Sequence, residues 1–246
     1  MNAAKPFLLL STREHDAAAE GEYRSTMRVA GLDASAMKQL RLERQPLGKI
    51  DLADYSGIIL GGSGFCVSDK AKSDLQKRVE ADLFSLLDTV IAEDFPFLGM
   101  CYGVGIVSAY LGGKVNHTWG EEVAAIKVEL TQDGKTEPIL AGMPDVFHAF
   151  AAHKEAADGL PDGATLLGKG EACPVQLFRV SQNVFASQFH PELDAEDFIA
   201  RMHIYKDGGY FAPEKLSEIE AVIRSSKVDG SQHLLLENFA GKYRQS

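Results

Sequence analysis

The sequence predicts an α/β fold: a mostly parallel central sheet with helices on both faces, plus a small antiparallel portion. Three observations carry this. Short apolar runs alternate with stretches of helical periodicity over the first 113 residues, which is the signature of βαβ units. Two of the runs, GIIL at 57–60 and the one at 96–98, end abruptly in glycines, as buried parallel strands do. After residue 120 the texture changes and the apolar runs read as strands closer together, which suggests an antiparallel portion.

The elements follow in order. FLLL at 7–10 reads as a buried strand between Pro6 and Ser11. A polar, Ala-rich stretch then gives a loop and a helix ending near Gly31. GIIL at 57–60 reads as a second buried strand, stopped by Gly61, Gly62, Ser63 and Gly64. Residues 71–93 place Leu75, Val79, Leu83, Leu86, Leu87, Val90 and Ile91 at helical spacing. Pro96, Phe97 and Leu98 form a short strand, Gly99 begins a turn, and a helix over 104–111 ends at Gly112-Gly113. VAAIKVEL at 123–130, PVQLFRV at 174–180 and VFASQF at 184–189 read as the antiparallel part. Residues 195–225 and 231–244 read as helical, a C-terminal extension from about 195 to 246. The LLLENF run at 234–239 is expected to pack on the sheet. With no repeat or linker, one domain over 1–246 is the expectation.

Composition narrows the function. Hydrophobic residues make up 45% and charged residues 24% of 246, ordinary globular proportions. A formal net charge of −10 argues against a nucleic-acid backbone as partner. The three cysteines, Cys66, Cys101 and Cys173, are far apart and form no C-x-x-C pair. They suggest neither a disulfide framework nor a zinc site, and a reducing compartment suits them. The apolar run at 7–10 is too short for a signal peptide or a membrane span. The expectation is a cytoplasmic protein with no membrane association.

Chemistry concentrates in FPFLGMCYGVGIVSAYLGG at 95–113. Gly99-x-Cys101-x-Gly103 sits between an apolar strand and a helix, the layout of a nucleophile elbow. The sharp turn leaves no room for flanking side chains, and the helix N-terminus behind the sulfur favours the thiolate. The backbone N–H of Tyr102 would face a developing oxyanion. A buried inert cysteine between structural glycines is the alternative, and the strand before and helix after argue against it. Cys66 and Cys173 lack this setting and read as packing residues. A thiol nucleophile needs a base. Among seven histidines, His190 ends an apolar strand, where catalytic residues gather in open α/β sheets. Glu192, two residues on, can hold its tautomer. His153 is the next candidate base. It forms an H-x4-H pair with His148 but lacks a third ligand, so no metal is expected. DGKT at 133–136 is not a phosphate loop, because Glu129 stands where its first glycine belongs. GGSG at 61–64 lacks the third glycine of a dinucleotide fingerprint, having Val67 there.

GMCYG around Cys101 and SQFHPEL around His190 resemble the class I glutamine amidotransferases, which use a Cys-His-Glu triad. IILGGSG at 58–64 resembles their oxyanion loop. LGGKV, WGE, AAHKEAADGLPDGA and CPVQLF resemble the GMP-synthetase-like branch. The resemblance covers 57–193 in ordered pieces. It implies a flavodoxin-like fold and a thioester route: Cys101 attacks a glutamine side-chain amide, His190 shuttles protons, ammonia leaves, and water releases glutamate. It also implies oxyanion donors at Tyr102 and in the Gly61-Gly62 loop, with Gly62 preferred, and no metal or organic cofactor. The ammonia would pass to a separate synthetase partner.

The chain departs from the family pattern at three places. Gly105 replaces the glutamine that helps hold the substrate, leaving room for something larger. Ser63 replaces a proline. Ala152, His153, Lys154 and Glu155 replace a Ser-His-Gly-Asp stretch. A hydrolase of γ-glutamyl or other amides with the same triad is therefore the second expectation. A non-catalytic regulatory relative is the third.

Overall fold

The computed structural model describes residues 5–245. In chain order the elements are β1 (Phe7–Thr12), α1 (Asp16–Val29), β2 (Met37–Arg41), β3 (Gly57–Ser63), α2 (Asp74–Ala92), β4 (Phe97–Met100) and α3 (Tyr102–Tyr110). Then come β5 (Val115–Asn116), β6 (Glu121–Leu130), α4 (Gln132–Thr136), β7 (Val146–His153), β8 (Ala156–Ala157), β9 (Ala164–Gly170), β10 (Leu177–Val180) and β11 (Val184–Ser187). Helices α5 (Ala195–Ile204), α6 (Leu216–Arg224) and α7 (His233–Tyr243) complete the chain.

A nine-stranded sheet runs β2-β1-β3-β4-β11-β10-β9-β6-β7. From β2 to β11 every pairing is parallel, and from β11 to β7 every pairing is antiparallel. Strand alternation sorts the core into two faces. Phe7, Leu9, Ile59 and Leu98 pack with α1 and with Leu235, Leu236 and Phe239 of α7. Leu8, Leu10, Ile58, Leu60 and Phe97 pack with Val79, Leu83 and Val90 of α2 and with α3. Helices therefore cover both faces, and the LLLENF run lies against the sheet. Each such side chain contributes about 1.5–3 kcal/mol of burial. Phe150, Phe198, Ile199, Met202 and Ile223 form a third cluster, where α5 and α6 meet the antiparallel half.

Two departures from the sequence expectation shape the site. β3 continues through Gly61 and Gly62 to Ser63, which pairs with Thr12 across a bulge. The glycines thin the strand without ending it. The helical stretch expected over 195–225 is broken between Ile204 and Leu216, where Gly209 has φ +74° and Pro213 follows. The break places Tyr205, Tyr210 and Phe211 over the carboxyl ends of the parallel strands. Among the described residues, no helix is long and apolar enough to cross a membrane.

Candidate active site

Helix α1 lies on one face of the sheet and α2 on the other, so the chain diverges between β1 and β3. A crevice opens at such a switch point, at the carboxyl ends of the strands. Arg13 follows β1, Ser63 ends β3 and Cys101 follows β4 there, and all three line one cleft.

Cys101 sits at φ 55°, ψ −88°, between β4 and α3. That left-handed backbone is rare for a residue with a side chain and is a place where strain is stored. The packing imposes it. A Cβ on Gly99 would lie 2.9 Å from the Cα of Gly103, so strand and helix touch where both lack side chains. The Cys101 amide donates to the carbonyl of Ser187 at 2.7 Å, tying the turn to β11. Tyr102 is the first residue of α3, and the first amides of a helix have no intrahelical acceptor.

His190 lines the same cleft as Cys101. Its backbone amide donates to the Phe150 carbonyl at 2.9 Å, a single bridge that fixes the residue after β11 has ended. The ring Nδ1 donates to Glu192 Oε1 at 2.9 Å, and Arg201 of α5 donates to the same oxygen at 2.9 Å. Burial disfavours the imidazolium, but the Glu192 charge and the Cys101 sulfur outweigh it and push the His190 pKa up to about 9. Burial likewise works against the Glu192 charge. His190 and Arg201 overcome it and hold the carboxyl well below its ordinary range.

The other expected positions fall as follows. The Gly62 amide donates to Glu22 Oε1 at 3.2 Å. Glu22 reaches it from α1 and also accepts from Ser11 Oγ and Arg13 Nε, each at 2.8 Å. A Cβ on Gly61 would run into that carboxylate, and one on Gly62 would lie 2.5 Å from Arg13 Nη2. The paired glycines thus make room for a buried Arg13–Glu22 ion pair. A Cβ on Gly105 would lie 2.9 Å from Glu155 Oε1 and 3.2 Å from Val67 Cγ2. The space left by the missing side chain is filled from within. Glu155 accepts there from the amides of Val67 and Ser68, at 2.7 and 2.8 Å, and from Ser68 Oγ at 2.6 Å.

His153 borders a second hollow that also reaches Cys101. Its ring bonds the Glu155 carbonyl at 2.9 Å and Glu121 Oε2 at 2.8 Å. Among the described residues, Glu121, His153 and Cys173 are a group with donor types suited to a metal ion, their donor atoms within 4.8 Å of one another. Gln176 also donates to Glu121, at 2.6 Å, and the Cys173 thiol to the Val175 carbonyl, at 3.6 Å.

The structure brings Cys101, His190 and Glu192 together. It adds Arg13, Glu22, Arg201, Tyr205 and Tyr210, which the sequence reading did not single out. Arg13 and Glu22 are nine residues apart and meet because α1 packs back over the end of β1, and they reach Gly62 because β1 and β3 are neighbours. Arg201 meets Glu192 only because α5 turns back over the strand ends. The break at Gly208-Gly209 and Pro213 was a readable signal for the tyrosine-bearing segment.

The family model for glutamine amidotransferase class-I matches residues 29–203. The chain belongs to this family. It is 34% identical over 141 residues to one subunit of a GMP synthase (glutamine-hydrolysing) from Methanococcus vannielii, covering 57% of this chain and 66% of that protein. The subunit of the same name from Thermococcus kodakarensis is 26% identical over 169 residues, covering 68% and 80%. With a GMP synthase from Thermosipho melanesiensis the identity is 27% over 161 residues, 61% of this chain but 31% of that protein. The chain thus spans under a third of that longer relative. A glutamine amidotransferase structure from Thermotoga maritima superposes with a TM-score of 0.72 at 24% identity, covering 97% of this chain and 99% of the other. One from Methylobacillus flagellatus gives 0.73 at 18% identity, covering 99% and 98%. These likenesses show the family's flavodoxin-like fold.

Proposed function

We propose that this amidotransferase-family chain hydrolyses the side-chain amide of glutamine through a Cys101 thioester, giving glutamate and ammonia for a separate acceptor enzyme. The observation that carries the reading is the strained Cys101 turn facing a buried His190–Glu192–Arg201 relay. Glu192 holds the Nδ1 proton, leaving Nε2 for exchange with the substrate and the thiol. In the first half, Cys101 Sγ, having given its proton to His190, bonds to the amide carbon. The carbonyl electrons move onto oxygen, where the Tyr102 amide stabilises them. Collapse breaks the C–N bond, and nitrogen takes the proton from His190 and leaves as ammonia. In the second half, His190 takes a proton from water, the hydroxide attacks the thioester, and the carboxylate departs as the thiol regains its proton. No metal or cofactor enters these steps. A separate acceptor enzyme is supported by the Methanococcus and Thermococcus relatives, whose names mark each as one part of an assembly.

A second reading has its own observation. Gly105 stands at the family's substrate-holding glutamine, and Glu155 and Val67 fill its space, so a γ-glutamyl or other amide is the alternative to glutamine. One experiment separates them. Purified protein is given glutamine, γ-glutamyl amides and a glutamine-analogue alkylator, alone and with a candidate synthetase partner. Glutamate and ammonia release from glutamine, falling by about 10⁴-fold or more in Cys101→Ala, is the expected result. Turnover of γ-glutamyl amides without glutamine selects the second reading. No label on Cys101 and no turnover under either condition sinks both and leaves a non-catalytic regulatory role.

A further inference from the structure

The cleft over Cys101 contains a cation with a donor to spare. Arg13 is 5% exposed and its Nε is held by Glu22, yet its terminal Nη2 has no hydrogen-bond partner. A buried guanidinium nitrogen left unpaired costs free energy unless a ligand completes it. Nη2 lies over Gly62, flanking the same point as the His190 ring carbon Cε1. The guanidinium is also near the face of Tyr205, 6.0 Å from the ring centroid, and its Glu22 partner keeps it charged.

Apart from Ser63, Cys101 and His190, the wall is largely apolar or aromatic, with Phe198, Met202, Tyr210 and Phe211 among its members, and its other guanidinium, Arg201, is already held by Glu192. No carboxylate lines this cleft among the described residues. The neighbouring hollow holds Glu155, but both of its oxygens already accept from Val67 and Ser68. The pocket therefore offers a charged partner to an anion and no free acid to an ammonium group.

We infer that Arg13 binds a carboxylate on the acyl side of the substrate, so the site takes monoamides of dicarboxylic acids, recognised by their carboxylate and without need of an α-ammonium group. This rests on the reading of Cys101 as the nucleophile. A charge-assisted hydrogen bond of this kind contributes roughly tenfold to a hundredfold in affinity.

The test compares glutamine, glutaramate, which lacks the amino group, and butyramide, which lacks both charged groups. It also measures Cys101 alkylation by iodoacetate and iodoacetamide, in which the sulfur displaces iodide and turnover plays no part. The variants are Arg13→Lys and the double change Arg13→Gln with Glu22→Gln, which replaces the buried ion pair by a neutral one; circular dichroism checks their folding. Glutaramate is expected within about tenfold of glutamine in kcat/KM, and butyramide at least a hundredfold below. The iodoacetate-to-iodoacetamide rate ratio is expected to fall about tenfold or more in the double variant and to be partly restored in Arg13→Lys. An unchanged ratio, butyramide equal to glutamine, or glutaramate a hundredfold worse than glutamine overturns the inference. If neither reagent labels Cys101, the nucleophile reading fails, and calorimetry with glutarate judges Arg13 alone. Glutarate binding that the double variant loses supports the anchor; binding that survives, or none to the unaltered protein, overturns it.

Discussion

Glu192 keeps its charge where water does not reach, at 0% exposure. It does so because one of its oxygens accepts from both His190 and Arg201. A buried carboxylate with such partners is tightly coupled to them, and removing one partner strands the others. In Glu192→Gln, His190 loses its counter-charge while its burial stays, so its pKa is expected to drop from about 9 to below the ordinary histidine range. NMR titration of the imidazole would read this, and kcat/KM is expected to fall by about 10²-fold or more, the scale of general acid–base catalysis. An unmoved His190 pKa would mean that Cys101, not Glu192, sets it. At this scale the sequence was legible where chemistry has a local signature. Gly-x-Cys-x-Gly and His-Pro-Glu placed Cys101, His190 and Glu192 within a few residues of their own punctuation. Arg13 and Arg201 have no such neighbours, since their meaning comes from strand order and from a helix folding back.

At the scale of elements, Gly105 is a position whose missing side chain is filled by its neighbours. The carboxylate of Glu155 sits where a Cβ would go, fixed by three donors in the Val67–Ser68 turn. Alanine favours a helix interior over glycine by about 1 kcal/mol, yet Gly105→Ala is expected to destabilise by about 1–3 kcal/mol, because overpacking against a held carboxylate outweighs propensity. Urea unfolding of the two proteins measures this, and a gain in stability would show that Glu155 gives way freely. Buried strands such as β1 and β4 were legible as continuous apolar runs. β2 (MKQLR) was not, because it is an edge strand with a single fully buried residue, Met37, and half-buried polar positions in place of an apolar run. β7 and β9 also escaped, each mixing buried and partly exposed positions without a uniform run. The order of strands was out of reach as well, since β11 pairs with β4 across more than 80 residues of chain.

For the whole molecule, the raised His190 pKa ties stability to pH. A group that holds its proton more tightly when folded stabilises fully below its unfolded pKa, about 6.5, and loses that contribution as pH rises through about 9. Glu192 acts in the opposite direction, contributing above the ordinary glutamate range and losing it as pH falls through its lowered folded value. The unfolding free energy is therefore expected to decline between pH 7 and 9.5, by at most about 1.4 kcal/mol per pH unit from this one proton. Urea melts across that range should show the slope, and His190→Gln should flatten it; an equal slope in both would assign it elsewhere.

The segment that interrupts the C-terminal helices has a consequence for how such a protein diversifies. The family stretch, 29–203, contains Cys101, His190 and Glu192. Tyr205, Tyr210 and Phe211 lie beyond it and Arg13 lies before it, yet all four line the cleft. On the proposed reading, the residues that break the bond lie within that stretch, whereas part of the wall around the substrate is built by residues on either side of it. If Cys101 is the nucleophile, a graft of residues 204–212 with a matched change at Arg13 is expected to shift which amide is accepted while Cys101, His190 and Glu192 stay as they are.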